Sequence, residues 1–575
     1  MRHPPLRHPP LSHPALSHPQ PSHLPHLRSA VACLAAAALA VGVAACASGS
    51  GSSGGSAAAG GTLTIQGDTG SPALVENFNP FQAATEMHGT YLIYAPLEIS
   101  SPVDGSYTPF LATGYKFTSP TTLVYTIRTG VKWSDGKPFT PADVVFTFNL
   151  LKKNPALDGN GVWSQISGVS ASGDQVTFTF KAANTPFAAT IAGTPIVPEH
   201  IWSKIADPVK FTNTDPVGTG PFKLSKFAPT QYTLTKNPLY WNAAKIAPST
   251  VVFPAEATSQ TTNQLAVSSG QFDWAYTFLP NVKTTYVDHD PAHNVYWFPP
   301  GGTIGLYLNL TKAPNDNVNF RRGISDALNR TAIAQKAVNG YMQQASLSGL
   351  ILPNLKKWLD PGLPDQGLVA QNKTAAMAAF AKAGYTMRGS KLTGSNGTQA
   401  SLSIVLPNSF SDWVAAATEI KNELSADGIQ VTLDLPQYPQ YSSQTQAGNY
   451  DAAIGGFGGT GSPYTDFNNA LNSNYAAPIN TPTANNFERF KDAAVDQDLA
   501  TLASATSPAA QQQATNNLET TMYNDVPIVL LYYGGSWGLF STKHFTGWPS
   551  ASDPYTLPTN YNNALLTVAT HLKKA

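Results

Sequence analysis

Cysteine is almost absent: Cys33 and Cys46 are the only two in 575 residues, and both lie near the N-terminus. The body that follows therefore has no disulfide staple and no cysteine-based zinc site. Charge is scarce as well, at 12% of residues, with 34 basic side chains against 34 acidic ones. The basic residues cluster no further than Lys356-Lys357 or Lys573-Lys574, which excludes a nucleic-acid binder, since phosphate recognition needs many grouped cations. Histidine is equally sparse after Cys46. Of His88, His200, His289, His293, His544 and His571, only His289 and His293 stand at i and i+4, and Pro291 between them opposes the helix that would align two ligands. No metal site and no cofactor are expected. There is no internal repeat. What the chain does have is 42% hydrophobic and 10% aromatic residues, enough to bury two to four domain cores.

The first 28 residues are rich in His and Pro, with Arg2, Arg7 and Arg28 and no acid, and an apolar stretch from Ala30 to Ala45 follows. Basic, then apolar, then small residues is the order of a secretory signal. The apolar stretch is shorter than the ~20 residues that a membrane-spanning helix needs. It ends Val43-Ala44-Ala45-Cys46, which resembles a bacterial lipobox and implies acylation of Cys46 after cleavage; a plain signal peptide is the alternative. The run from Ala47 to Gly61 is nearly all Gly, Ser and Ala, a flexible tether. The His-Pro repeats before the apolar stretch would be discarded with it.

Folded structure is expected from Thr62. Residues 62–66 alternate as a strand, and Asn79-Pro80 reads as a turn into a helix reaching Tyr94. Ser134-Asp135-Gly136 is a tight turn, and Thr140, Pro141 and Asp143 form a helix start with cap, first-position proline and capping box. Residues 402–435 read as strand, helix, Gly428 stop and strand, a βαβ crossover in a parallel or mixed sheet. Further strands fall at 176–180, 232–235, 450–454 and 526–533, with helices at 317–338 and 486–502. The class is mixed α/β.

Two motifs invite enzymatic readings. Gly534-Gly535-Ser536-Trp537-Gly538 matches the nucleophile elbow, with Asp553 and His571 following in hydrolase order, but no helical stretch follows Ser536. A serine hydrolase is kept only as a rival. Gly456-Phe457-Gly458-Gly459-Thr460-Gly461 matches a dinucleotide fingerprint, yet residues 462–464 do not continue cleanly as a helix and no acid stands in 476–486. Close backbone approach, to a ligand or at a hinge, explains these glycines better.

Residues 128–148, RTGVKWSDGKPFTPADVVFTF, resemble the signature of the large solute-binding proteins of ABC importers, the oligopeptide/dipeptide/nickel-binding family. Similar segments follow in family order at 196–202, 216–222, 236–241, 269–273, 308–309, 318–330 and 527–530. The resemblance implies an α/β, periplasmic-binding-protein-like two-lobed clamp of type II with an extra middle domain. Lobe I is expected at 62–96, 200–298 and 526–575, the extra domain at 97–199 and lobe II at 299–525. It implies no catalysis. The expected role is capture of a peptide by a monomeric, lipid-anchored protein on the outer face of the cell membrane, for delivery to the membrane permease. A cello-oligosaccharide-type sugar is the alternative ligand, and a sensor is an alternative to the permease.

Peptide binders of this family carry a Gly-Trp-x-x-Asp run whose Asp pairs with the ligand's N-terminal ammonium. The matching positions here are Gly456, Phe457 and Thr460, and a hydroxyl cannot stand in for an anion against a buried ammonium. Asp466, a turn further on, is the candidate substitute. Thr85 and Glu86 fall where the family's first lobe meets the ligand. Trp133, Asp135 and Gly136 are expected to serve the fold.

Overall fold

Thr140 leaves an extended segment and starts the helix Pro141–Lys153, its N–H donating to Asp143 Oδ2 at 2.9 Å in a capping box. That helix packs on a four-stranded antiparallel sheet, in the order Ala112–Ser119, Thr122–Ile127, Gln175–Phe180, Ile166–Ser172. Leu123, Tyr125, Val176 and Phe178 alternate inward from the strands to meet Val144 and Phe148 from the helix, a period-2 face against a helical stripe. The computed structural model describes residues 61–67, 73–82, 87–257, 259–505 and 507–575, so Cys46, the signal segment and most of the tether lie outside the described residues.

A second core joins distant stretches of the chain. Thr62–Thr64 lies parallel to Thr250–Pro254, which continues antiparallel to Gln231–Lys236 and Phe222–Ala228. A three-stranded sheet of Trp274–Tyr276, Gly538–Ser541 and Asn294–Trp297 and the helix Asn562–His571 complete it, around Phe78, Trp202, Tyr232 and Trp274. His200 Nε2 and Asp135 Oδ2, 2.8 Å apart, link this lobe to the turn of the signature segment, whose Trp133 is wholly buried.

The third core carries a five-stranded sheet in the order Gln430–Asp434, Ser401–Val405, Ala452–Phe457, Pro300–Leu308, Ile528–Gly535. Its first pair is parallel and joined by the helix Ser411–Ala426, the βαβ unit read from the sequence. Ala416, Ala417, Ile420 and Leu424 bury one face of that helix, while Trp413 is left half-buried at its start.

Several local expectations change. Ile528–Gly535 pairs with Pro300–Leu308 inside the second lobe's sheet, so the return to lobe I falls at Ser536-Trp537 and not at 526. The stretch 317–338 is two helices, Val318–Ala327 and Arg330–Val338, because Asn329 leaves the helix to cap the second one, accepting from Ala332 N at 3.0 Å. The helix expected at 486–502 is Ala493–Ser504, begun by the Asp492 cap, since Asn486 and Arg489 adopt positive φ and hold the preceding stretch out of the helix. Of the helix toward Tyr94, the described residues contain Thr90–Ile93. A helix does follow the glycine run: Ser462 caps Pro463–Leu471, with proline at the first position supplying the start that the sequence reading passed over.

Candidate functional site

The chain crosses between the second and third cores twice, once from Asn294–Trp297 into Pro300–Leu308 and once from Ile528–Gly535 into Gly538–Ser541. The two crossings lie side by side. Ser536 N donates to Pro299 O at 2.8 Å, and a Cβ on Gly301 would come within 2.0 Å of Ser536 Oγ. Ser536 is buried at this junction, between two strands and with no helix after it, which removes the geometry of a nucleophile elbow.

The glycine loop reaches the same junction. Gly459 has φ +97°, and a Cβ there would meet the Gly301 carbonyl oxygen at 2.2 Å; one on Gly461, φ +77°, would meet Ser101 O at 2.7 Å. These glycines permit close backbone contact of the third core with the crossing and with the segment 101–105. Gly456 lies on the exposed edge of this region, with open space where a Cβ would be, and Phe457 is buried.

Thr460 and Asp466 come together. The Thr460 hydroxyl donates to Asp466 Oδ1 at 2.7 Å and the Thr460 N–H to the same oxygen at 3.2 Å. Asp466 is 3% exposed, and among the described residues its Oδ2 has no hydrogen-bond partner. Burial pushes its carboxyl up to about 6, against the opposing pull of the Thr460 hydroxyl and the Thr460 and Gly459 N–H groups. A cavity of about 180 Å³ is lined by Phe457, Thr460 and Asp466 together with Tyr307, Asn469 and Glu488. Thr85 and Glu86 lie outside the described residues.

A larger cleft, about 830 Å³, opens between the second and third cores beside the crossings. One wall brings His88, Tyr276, Phe278 and Tyr561; the other brings Phe410, Trp413 and, at the crossing itself, Trp537. Trp537 packs against Phe278 and Phe298 at centroid distances of 5.0 and 5.1 Å. Among the described residues lining this cleft there is no Lys or Arg; its polar groups are amides, hydroxyls, the His88 imidazole, Glu256 and Asp412, whose carboxyl burial raises. Apolar walls with a few fixed polar groups suit an elongated solute of low charge. Sequence reasoning did not bring these aromatics together. They come from five separate stretches, and only Trp413, the one aromatic on a helix face otherwise made of Ala416, Ala417, Ile420 and Leu424, offered a local signal.

Two lobes joined by two adjacent crossings, with a solute-sized cleft beside them, give the frame of a two-lobed binding protein. Residues 106–478 match the model of the bacterial extracellular solute-binding proteins, family 5 (middle), and the chain belongs to that family. It is a solute-binding protein of the ABC-importer type and not an enzyme. It is 25% identical over 478 residues to the peptidoglycan-binding protein YepA of Agrobacterium fabrum, covering 72% of this chain and 75% of that one. It is 24% identical over 537 residues to the probable peptide-binding protein YejA of the same organism, covering 83% and 85%. The periplasmic oligopeptide-binding protein of an ABC transporter from Thermotoga maritima superposes with a TM-score of 0.82 at 25% identity, over 89% of this chain and 99% of that one. Its mannohexaose-bound form gives 0.76 over 89% and 98%. Among the described residues no helix is long and apolar enough to cross a membrane.

Proposed function

We propose that this protein captures peptides outside the cytoplasm, tethered to the outer face of the membrane through an acylated Cys46, and delivers them to an ABC permease. Ligand bound between the lobes stabilises the closed form, and differential affinity for that form is all the mechanism requires. The observation that carries the peptide reading is the unpartnered Asp466 Oδ2, a buried carboxylate oxygen beside Phe457. A ligand ammonium there supplies the missing donor, while Thr460 holds the other oxygen in place. Thr460 is then a positioning residue, and the anion sits six residues later than in the family's usual run. Gly456 leaves the approach to Phe457 open. Thr85 and Glu86 remain the first-lobe candidates by resemblance.

Titration with di- to pentapeptides, followed by tryptophan fluorescence, tests this reading. A saturable response that weakens at least tenfold in Asp466→Asn supports it, and unchanged affinity in that variant overturns it. A Cys46→Ser chain expressed in its host is expected in the soluble fraction instead of the membrane; membrane retention would refute the lipid anchor.

The aromatic walls of the larger cleft, which have no Lys or Arg among the described residues, favour a second reading, an oligosaccharide stacked on Trp413 and Trp537, in keeping with the sugar held by the Thermotoga maritima relative. A response to cello- or manno-oligosaccharides with none to peptides would select it.

A further inference from the structure

The aromatic wall of the larger cleft continues beyond it. Phe410 and Trp413 line the cleft, with ring centroids 5.0 Å apart and planes at 87°. Tyr441 is buried 6.2 Å from Trp413, and its hydroxyl donates to Ile454 O at 2.7 Å, which anchors the ring to the sheet. Tyr438, a turn earlier on the helix Tyr438–Ala447, closes the set: its ring lies 5.9 Å from Tyr441 and 5.7 Å from Phe410, the latter at 34°. Four rings thus form one block, and Tyr438 is its outer member. It stands outside the cleft lining and, at 51% exposure, is the most exposed aromatic side chain among the described residues. Leu435, three positions before it, is 41% exposed.

Both segments that carry the block are held in place. Asn408 N donates to Pro436 O at 3.0 Å, tying the stretch before Phe410 to the stretch before Tyr438, and Pro439 fixes the first turn of the helix. A platform ordered before the ligand arrives costs little further entropy on binding. Its polar setting holds no cation: residues 435–450 contain no charged side chain and no His, and the exposed neighbours in sequence are Asn408, Ser409 and Gln437. The charges flanking the two segments are Asp412 and Asp434, whose carboxyl oxygens accept hydrogen bonds. Amides, a hydroxyl and carboxyl acceptors around exposed rings match a neutral polyhydroxylated chain, whose hydroxyls donate while the C–H faces of its sugar rings lie on the aromatics. They offer nothing to the carboxylate of a peptide. The cleft, at about 830 Å³, is of the size that encloses a small-molecule ligand, so a longer chain has to leave it, and Phe410 belongs to both the cleft and the outer block.

We propose that Tyr438, backed by Phe410, is an outer subsite that stacks on a sugar ring of an oligosaccharide extending past the cleft, and so sets a preference for longer chains. The inference rests on the oligosaccharide reading of the cleft given above. Trp413 and Trp537 hold the enclosed units, and Tyr438 acts only on a unit that has left them.

Calorimetric titration of the purified protein with cellotriose and cellohexaose, in wild type, Tyr438→Ala and Tyr438→Phe, tests it. Wild type is expected to bind the hexaose about three- to tenfold more tightly than the triose, the usual weight of one aromatic stacking contact. Tyr438→Ala changes an exposed side chain and leaves the buried Tyr441 anchored, so it is expected to bind the triose as wild type does and to lose the gain for the hexaose. Tyr438→Phe keeps the ring and is expected to keep the gain. Equal wild-type affinity for the two lengths, a gain that survives Tyr438→Ala or is lost in Tyr438→Phe, or a loss in Tyr438→Ala shared equally by both lengths would overturn the inference while leaving the oligosaccharide reading in place. Binding of neither sugar would overturn both.

Discussion

The Thr460 hydroxyl donates to Asp466 Oδ1 at 2.7 Å, making one unit of a neutral side chain in the glycine loop and a buried carboxylate six residues later. Remove the hydroxyl and the carboxylate loses a bond that favours its charged form. Thr460→Val is therefore expected to raise the Asp466 carboxyl further above its already elevated value of about 6. Peptide affinity in this variant should fall at pH 6 and recover in part toward pH 8, where the wild type changes little. A pH series of fluorescence titrations on both proteins checks this. Parallel profiles would show that Thr460 does not act through Asp466.

Four buried carboxyls make stability depend on pH in an unusual direction. Burial raises Asp466 to about 6, Glu98 to about 7, and Glu488 and Glu519 to about 8. Each folded-state value lies above its unfolded one, so between the two the folded chain holds a proton that the unfolded chain has released. Stability from these groups is fully present below about pH 4, falls as pH rises through 6 to 8, and levels off above that. The urea midpoint is expected to drop between pH 5 and pH 8. Glu519→Gln, whose wild-type side chain accepts the Asp360 N–H, should flatten part of that slope. A midpoint that rises over this range would contradict the assignment.

The two crossings touch at a point with no spare space. A Cβ at Gly301 would meet Ser536 Oγ at 2.0 Å and Ser536 Cβ at 3.3 Å. Gly301→Ala is expected to destabilise by about 1–3 kcal/mol, the usual range for overpacking a buried site. Adding Ser536→Ala removes the offending oxygen, and the double variant should recover at least about 1 kcal/mol of that loss, a coupling that denaturant melts of all four proteins measure. Additive losses would mean that the junction yields elsewhere. Ser536→Ala alone should leave solute binding intact, the opposite of what a nucleophilic serine would require.

Much of the frame was legible because it is written locally. Thr140, Pro141 and Asp143 carry a helix start in adjacent letters, and the alternation of Ile429, Val431 and Leu433 after Gly428 carries a strand after a helix. The loop glycines were legible as sites of close approach, although what Gly459 approaches, the Gly301 carbonyl, is a contact between residues more than 150 positions apart. Glu488 was hidden for a different reason. It sits in a stretch whose composition suits a helix, and only the left-handed backbone at Asn486 and Arg489 takes it out of one. The cleft aromatics were illegible because no period links Tyr276, Trp413, Trp537 and Tyr561; they meet only when two lobes face each other.

That meeting is the core of the account, since closure on a solute requires both walls. The most direct measurement is a fluorescence or calorimetric titration of wild type and Trp413→Ala with the peptide and oligosaccharide pools. Trp413 lies half-buried at the mouth of its helix, so its removal leaves the Ala416, Ala417, Ile420 and Leu424 face packed. The account predicts saturable binding to one pool and a loss of ten- to a hundredfold in the variant, about 1.4–2.8 kcal/mol. Binding of wild-type strength in Trp413→Ala would place the solute outside this cleft and contradict it.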